Sequence, residues 1–187
     1  MTINMDTAAM SQDVERIMIS EEELQRRVRE LGLEISRDYA GKPLMLVSVL
    51  KGGIVFLADL MRRIDVPHEI ELVGASRYRG GVTPTPGVLI TKDVDLGLDG
   101  RHVLMVEDIY DTGNTLQVVH NLLQLYRPAS LEVCALLRKK KSHSNPIEVR
   151  YVGFDIDDIF VVGYGLDYKE QYRNLPYIGV LKAELYE

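Results

Sequence analysis

Three carboxylates and a short polar loop lie together near the middle of the chain. Glu107 and Asp108 follow the apolar run Val103–Val106, and Asp111 precedes the sequence Thr-Gly-Asn-Thr at 112–115. Adjacent carboxylates accept hydrogen bonds from sugar hydroxyls or hold a hydrated Mg²⁺. Backbone N–H groups of a small-residue loop that enters a helix can cradle a phosphate. Each residue alone is more typical of a solvated turn, but the ordered set favours a site for a phosphorylated sugar.

A second candidate corner contains Lys51, Gly52 and Gly53. It follows Leu44–Leu50, a nearly continuous apolar run. Two glycines allow the backbone to approach a ligand closely, and the lysine could neutralise phosphate charge. Taken alone, this corner fits a strand-to-helix turn with a surface lysine slightly better than it fits a binding site.

Parallel strands that end at one edge of a sheet would position both corners. Apolar runs predict strands at 44–50, 69–75, 103–106 and 131–137. Helical patterns separate them, and the first begins with a capping box at Ser20 and Glu23. This alternation predicts an α/β fold, a doubly wound, largely parallel twisted sheet with helices on both faces. Ligands of such sheets bind at the carboxyl ends of the strands.

Length and composition set further bounds. The 187 residues carry a net charge of −6 and include one cysteine, Cys134. The acidic balance argues against a nucleic-acid or anionic membrane partner, and one cysteine excludes a disulfide framework within the chain. No apolar run approaches the roughly 20 residues that span a bilayer, and residues 1–13 lack a signal-peptide pattern. We predict a cytoplasmic protein with a disordered leader over 1–13 and one domain over 14–187.

Four other segments carry weaker signals. Residues 76–87 are rich in Gly, Thr and Pro without periodicity, which is typical of a lid or a hairpin extension. The basic run 138–141 fits a solvated loop. The acidic run 155–158 lacks the ligand spacing of a calcium loop. The G-x-G at 163–165 lacks the third glycine and the helix of a dinucleotide-binding motif.

In their order and spacing, the motifs resemble those of the phosphoribosyltransferases, enzymes that use 5-phosphoribosyl-1-pyrophosphate. The acidic stretch at 107–115 resembles the family signature, while the corner at Lys51 and the stretch from Phe160 resemble the hypoxanthine-guanine members. The resemblance covers about residues 14–182. It implies a core at about 40–140 and a small hood subdomain built from the N-terminal segment and about 150–187.

The resemblance also implies residues that bind the sugar donor. Glu107 and Asp108 would bind the ribose hydroxyls and, together with Asp167, a magnesium ion. The 5′-phosphate would be bound by the loop Asp111, Thr112, Gly113, Asn114 and Thr115. The pyrophosphate would be bound by Lys51, Gly52 and Arg173, with the peptide bond before Lys51 in the cis form.

Residues further along the chain would bind a purine and close the site. Lys139 would contact the exocyclic oxygen, with Lys140 as the alternative after a one-residue shift in the alignment. Phe160 would stack on the base, Val161 would read its edge through the backbone, and Asp167 would lie on the magnesium side. Asp111 would act as the general base near purine N7. The lid would carry Arg77 and Tyr78, where Arg77 replaces the usual serine.

The implied activity is Mg²⁺-dependent transfer of the phosphoribosyl group to N9 of hypoxanthine or guanine. The products would be IMP or GMP and pyrophosphate, a purine salvage reaction. The implied partners are these small-molecule substrates and further copies of the chain, in a dimer or a tetramer. Two alternatives are a nucleotide-sensing regulator, which should carry a DNA-binding domain or a broad basic face, and a transferase for another base such as xanthine or a pyrimidine.

Overall fold

A computed structural model describes residues 7–77, 87–95, 97–140 and 146–186. The helices are α1 (Thr7–Gln12), α2 (Glu21–Asp38), α3 (Ile54–Met61) and α4 (Asn114–Leu125), with a short 3₁₀ helix at Ala183–Leu185. The strands are β1 (Val14–Ile19), β2 (Leu44–Leu50), β3 (His68–Arg77), β4 (Val88–Lys92), β5 (His102–Tyr110), β6 (Ser130–Lys139), β7 (Tyr151–Ile156), β8 (Val161–Val162) and β9 (Ile178–Leu181).

Six strands form the central sheet in the order β4-β3-β2-β5-β6-β7. All neighbouring pairs are parallel except β3 and β4, which are antiparallel. Because side chains alternate along a strand, Leu44 and Leu46 pack with α2 and α3 on one face. Met45 and Val47 pack with α4 on the other face. The predicted α/β sheet with helices on both faces is therefore confirmed.

Helix α2 begins where the sequence predicts. The backbone N–H of Glu23 donates to Ser20 Oγ at 3.3 Å, and the backbone N–H of Ser20 donates to Glu23 Oε2 at 2.9 Å. These two bonds satisfy amide groups that a helix N-terminus leaves without intrahelical partners. The apolar face of α2 is buried against the sheet through Leu24, Val28, Leu31 and Ile35.

A second sheet has the order β1-β9-β8, with antiparallel pairs. It joins the N-terminal segment to the C-terminal part of the chain through the pairing of β1 with β9. The start of the hood at about 150 remains a prediction, and strand β7 pairs in parallel with β6 at the edge of the central sheet. Tyr151 and Ile156 are buried in the core of that sheet, and the small sheet begins only at β8.

The leader predicted over 1–13 lies partly outside the described residues, and its described part contains helix α1. Met10 is buried in an apolar cluster with Val162, Tyr172 and Leu175 of the small sheet and its loop. Among the described helices, none has both the length and the apolar character needed to cross a membrane.

Candidate active site

A cavity of about 360 Å³ lies at the carboxyl edge of the central sheet. Four segments form its wall, and they come from different parts of the chain. They are Val49–Gly52 at the end of β2 and in the turn after it, Ala75 and Ser76 in β3, Glu107–Leu116 from β5 into α4, and Leu166, Asp167 and Arg173 near the small sheet. The two corners singled out in the sequence are thus brought together, as the fold class requires.

The sequence predicted Glu107 and Asp108 just after a strand that ends at Val106. In the structure both residues lie within strand β5. The strand continues to Tyr110 because β6 keeps pairing with it as far as Tyr110 and Arg138. Burial raises the pKa of Glu107 well above its ordinary value, and the neighbouring Asp108 charge raises it further. Burial also raises the pKa of Asp108, although the N–H of Ile109 donates to its Oδ1 at 2.8 Å. A half-buried Glu107 beside a buried Asp108 favours a cation or hydroxyl donors next to the pair.

The corner at Lys51 packs directly on this acidic pair. The peptide bond between Leu50 and Lys51 is cis, as the family resemblance implies. A Cβ atom at Gly52 would collide with the carboxylate of Asp108. A glycine is therefore needed at position 52 for the turn to lie against the acidic strand.

The loop after Asp111 leads into helix α4. Gly113 has a φ of +81°, in the left-handed region that glycine adopts without strain, and it turns the chain from β5 into the helix. The N–H of Gln117 donates to Gly113 O at 2.8 Å, which makes Gly113 the cap. N–H groups in a first helical turn lack intrahelical acceptors. Together with the wall residues Thr112 and Thr115, this loop can hold a phosphate group.

Asp111 lies beside the end of β6. The Nζ of Lys139 is 3.5 Å from Asp111 Oδ1 and 2.9 Å from Asp158 Oδ1, and 11% of the Lys139 side chain is exposed. Lys140 is 59% exposed and lies 3.7 Å from Asp157 instead. The geometry therefore favours Lys139 over Lys140 as the lysine associated with Asp111.

Two cations face the cavity near the small sheet. Arg173 donates through Nη1 to Gly165 O at 2.7 Å, and its Nη2 lies 2.9 Å from Asp167 Oδ1. Glu170 contacts both cations, at 2.9 Å from Lys51 Nζ and 3.3 Å from Arg173 Nη2. Hydrogen bonds from Lys51 and Arg173 lower the pKa of Glu170. Sequence reasoning missed Glu170, since Lys51 lies 119 positions away in the chain.

The residues predicted to bind a purine are only partly gathered at this cavity. Among the described residues, Asp167 lines it, whereas Lys139, Phe160 and Val161 do not. The ring of Phe160 stacks on Tyr186, with centroids 4.9 Å apart, and meets Tyr168 edge-on at 5.7 Å. The purine roles of Phe160 and Val161 therefore stay predictions.

The lid lies mostly outside the part of the chain that the structure describes. Arg77 is the last residue of β3, and its backbone pairs with Val88 of β4. Tyr78 lies outside the described residues. The roles predicted for Arg77 and Tyr78 therefore remain predictions.

The predicted magnesium ligands do not form a complete cage. Within residues 7–77, 87–95, 97–140 and 146–186, no group of three side chains is arranged to hold a metal. Asp167 is engaged by Arg173, which leaves Glu107 and Asp108 as the adjacent carboxylate pair. This donor set still fits Mg²⁺, because that ion usually takes one or two carboxylates and completes its shell with water and substrate phosphates.

Comparisons with known proteins agree with this geometry. The model of the phosphoribosyl transferase domain matches residues 18–169. A hypoxanthine-guanine phosphoribosyltransferase from Staphylococcus epidermidis is 46% identical over 177 residues, 95% of this chain and 99% of that protein. The structure of a hypoxanthine phosphoribosyltransferase from Staphylococcus aureus is 45% identical, with a TM-score of 0.91 over 97% of this chain and 98% of that one.

A second similar structure is named a hypoxanthine-guanine-xanthine phosphoribosyltransferase. It is 36% identical and has a TM-score of 0.83, over 94% of this chain and 99% of that one. These likenesses extend over nearly the whole chain and include both the central sheet and the small sheet. The chain belongs to the phosphoribosyltransferase family.

Proposed function

We propose that the protein transfers the phosphoribosyl group of 5-phosphoribosyl-1-pyrophosphate to N9 of hypoxanthine or guanine. The products are IMP or GMP and pyrophosphate, which makes the reaction a purine salvage step. One observation carries the proposal: an acidic pair, a phosphate-type loop and two cations line one cavity. The names and high identity of the Staphylococcus relatives support it.

The acidic pair and the loop would hold the sugar end of the donor. Glu107 and Asp108 accept hydrogen bonds from the ribose hydroxyls, and the backbone of Thr112–Thr115 binds the 5′-phosphate. Glu107 and Asp108 would also hold Mg²⁺, which would supply positive charge toward the pyrophosphate. These two carboxylates also tolerate the positive charge that develops on the ribose as its bond to pyrophosphate breaks.

Lys51 and Arg173 would stabilise the leaving pyrophosphate. Both side chains are held at the cavity beside the acidic pair, and Arg173 is oriented by its bond to Gly165 O. Cationic groups positioned where negative charge develops lower the barrier without reorganising during the reaction. Gly52 permits this approach, since its lack of a side chain lets the turn lie against Asp108.

Asp111 and Lys139 would act on the purine. Asp111 takes a proton from the base, which makes the base more nucleophilic. The Lys139 ammonium has only donors, so it can bond a 6-oxo group but not the 6-amino group of adenine. This preference supports hypoxanthine and guanine as substrates. The homo-oligomer implied by the family resemblance, a dimer or a tetramer, remains a prediction.

The experiment is a set of initial-rate assays with 5-phosphoribosyl-1-pyrophosphate and Mg²⁺ and one base at a time. Hypoxanthine and guanine should be turned over, and adenine should not. Turnover of xanthine would extend the base range to that of the hypoxanthine-guanine-xanthine neighbour. Absence of turnover with every base, together with tight binding of the donor, would favour the nucleotide-sensing regulator and overturn the proposal.

A further inference from the structure

A glutamate occupies the space between the two cations assigned to pyrophosphate. Glu170 Oε2 lies 2.9 Å from Lys51 Nζ and 3.3 Å from Arg173 Nη2, so a single carboxylate oxygen contacts both groups. Carboxylate and phosphate oxygens compete for the same ammonium and guanidinium donors. An anion that enters between Lys51 and Arg173 must therefore displace Glu170.

The loop holds Glu170 in this position through its backbone. The N–H of Glu170 donates to Asp167 Oδ2 at 2.9 Å, and Asp167 also contacts Arg173. Glu170 has a φ of +65° and its neighbour Lys169 a φ of +50°. Non-glycine residues are uncommon in this left-handed region, and such strain is typical of functional loops. The side chain is thus presented to the cations by a loop conformation that costs free energy to hold.

The contact is weak enough to be exchanged. The side chains of Glu170 and Lys51 are 64% and 67% exposed, and exposed ion pairs contribute little to stability. A role in holding the fold together would call for a buried, rigid pair. Glu170 is instead exposed to water and bridges two cations that bind a ligand. Such a carboxylate can leave the cations when the ligand binds and return to them when it is released.

We propose that Glu170 is an internal competitor for the pyrophosphate site: its carboxylate neutralises Lys51 and Arg173 in the free enzyme and promotes release of pyrophosphate. The inference rests on the proposed function, which assigns Lys51 and Arg173 to pyrophosphate. Glu170 is a positioning residue, since it acts through those cations and does not touch the reacting atoms. Its removal should strengthen pyrophosphate binding, whereas loss of a supporting residue would weaken it.

The test is calorimetric titration of the whole protein with pyrophosphate in the presence of Mg²⁺. Glu170→Gln should bind pyrophosphate about three- to tenfold more tightly than the wild type, because two exposed ion pairs no longer compete. The gain should shrink at high salt, where exposed charges are screened. Product inhibition by pyrophosphate in the forward assay should increase by a similar factor.

Glu148→Gln is the matched control. It makes the same charge change at an exposed residue that precedes β7, on the amino side of the sheet and away from the cavity. Its pyrophosphate affinity should equal that of the wild type. An equal gain in this control would assign the effect to net charge and overturn the proposal.

The possible failures are distinguishable. Unchanged or weaker pyrophosphate binding by Glu170→Gln, with a wild type that binds pyrophosphate and turns over hypoxanthine, would overturn the role of Glu170 alone. A wild type that neither binds pyrophosphate nor turns over any purine would overturn the proposed function and this inference with it. Glu170→Ala provides a second variant that also removes the side-chain length, and it should show the same direction of change.

Discussion

Lys139 Nζ lies between two carboxylates, 2.9 Å from Asp158 Oδ1 and 3.5 Å from Asp111 Oδ1. The candidate purine contact and the candidate base are therefore neighbours in the free protein. This pair of residues can therefore both select the purine, through Lys139, and activate it, through proton removal by Asp111.

Asp111→Asn should lower turnover by about 10²- to 10⁴-fold, because an amide cannot take the proton from the purine. Binding of 5-phosphoribosyl-1-pyrophosphate should be largely unchanged, since the loop backbone at 112–115 is retained. Steady-state rates and donor titration measure the two effects. Asp157→Asn, at an exposed aspartate, is the control and should keep wild-type turnover. Unchanged turnover in Asp111→Asn would remove the base assignment.

Lys139→Ala should raise the KM for hypoxanthine and guanine, with little change in donor affinity. The reason is the loss of the ammonium that would bond the 6-oxo group. Lys140→Ala is the matched control, since Lys140 is the adjacent lysine and is largely exposed. If the KM for the purine rose in Lys140→Ala and not in Lys139→Ala, the assignment would move by one residue.

The sequence predicted features that depend on local pattern. The Ser20–Glu23 capping box and the buried strand Leu44–Leu50 follow from nearest-neighbour chemistry, and both are present. The contact between Glu170 and Lys51 could not be predicted, because it forms only when two distant loops fold together. The place of β7 in the central sheet could not be predicted for a similar reason, because it depends on pairing with β6.

Gly52→Ala should weaken donor binding and lower turnover. The added methyl would collide with the carboxylate of Asp108, and forcing atoms into a packed site typically costs about 1–3 kcal/mol. The turn or Asp108 would have to move, which separates the pyrophosphate corner from the acidic pair. The KM for 5-phosphoribosyl-1-pyrophosphate and the melting temperature report the two effects.

Gly97→Ala is the control for this substitution, since a Cβ atom there meets nothing within 4 Å. It should leave both the KM and the melting temperature unchanged. A Gly52→Ala protein with wild-type donor affinity would show that the close approach to Asp108 is not needed for binding.

Tyr164→Phe should lower the free energy of unfolding, and the loss should be largest at pH values well above 3.8. Tyr164 Oη donates to Asp59 Oδ2 at 2.7 Å, and this bond joins helix α3 to the segment that follows β8. Burial raises the pKa of Asp59, but hydrogen bonds from Tyr164, Gln25 and Arg62 outweigh burial and leave the pKa below its ordinary value of 3.8. Because the folded state lowers this pKa, the bond's contribution is complete above pH 3.8 and is lost as the pH falls through the folded value.

A hydrogen bond to a charged group contributes about 1.5–3 kcal/mol, so urea unfolding at pH 7 should show a loss of that order. The difference in unfolding free energy between Tyr164→Phe and the wild type should narrow as the pH falls below 3.8. A difference that is independent of pH would show that the loss does not come from the bond to the ionised Asp59.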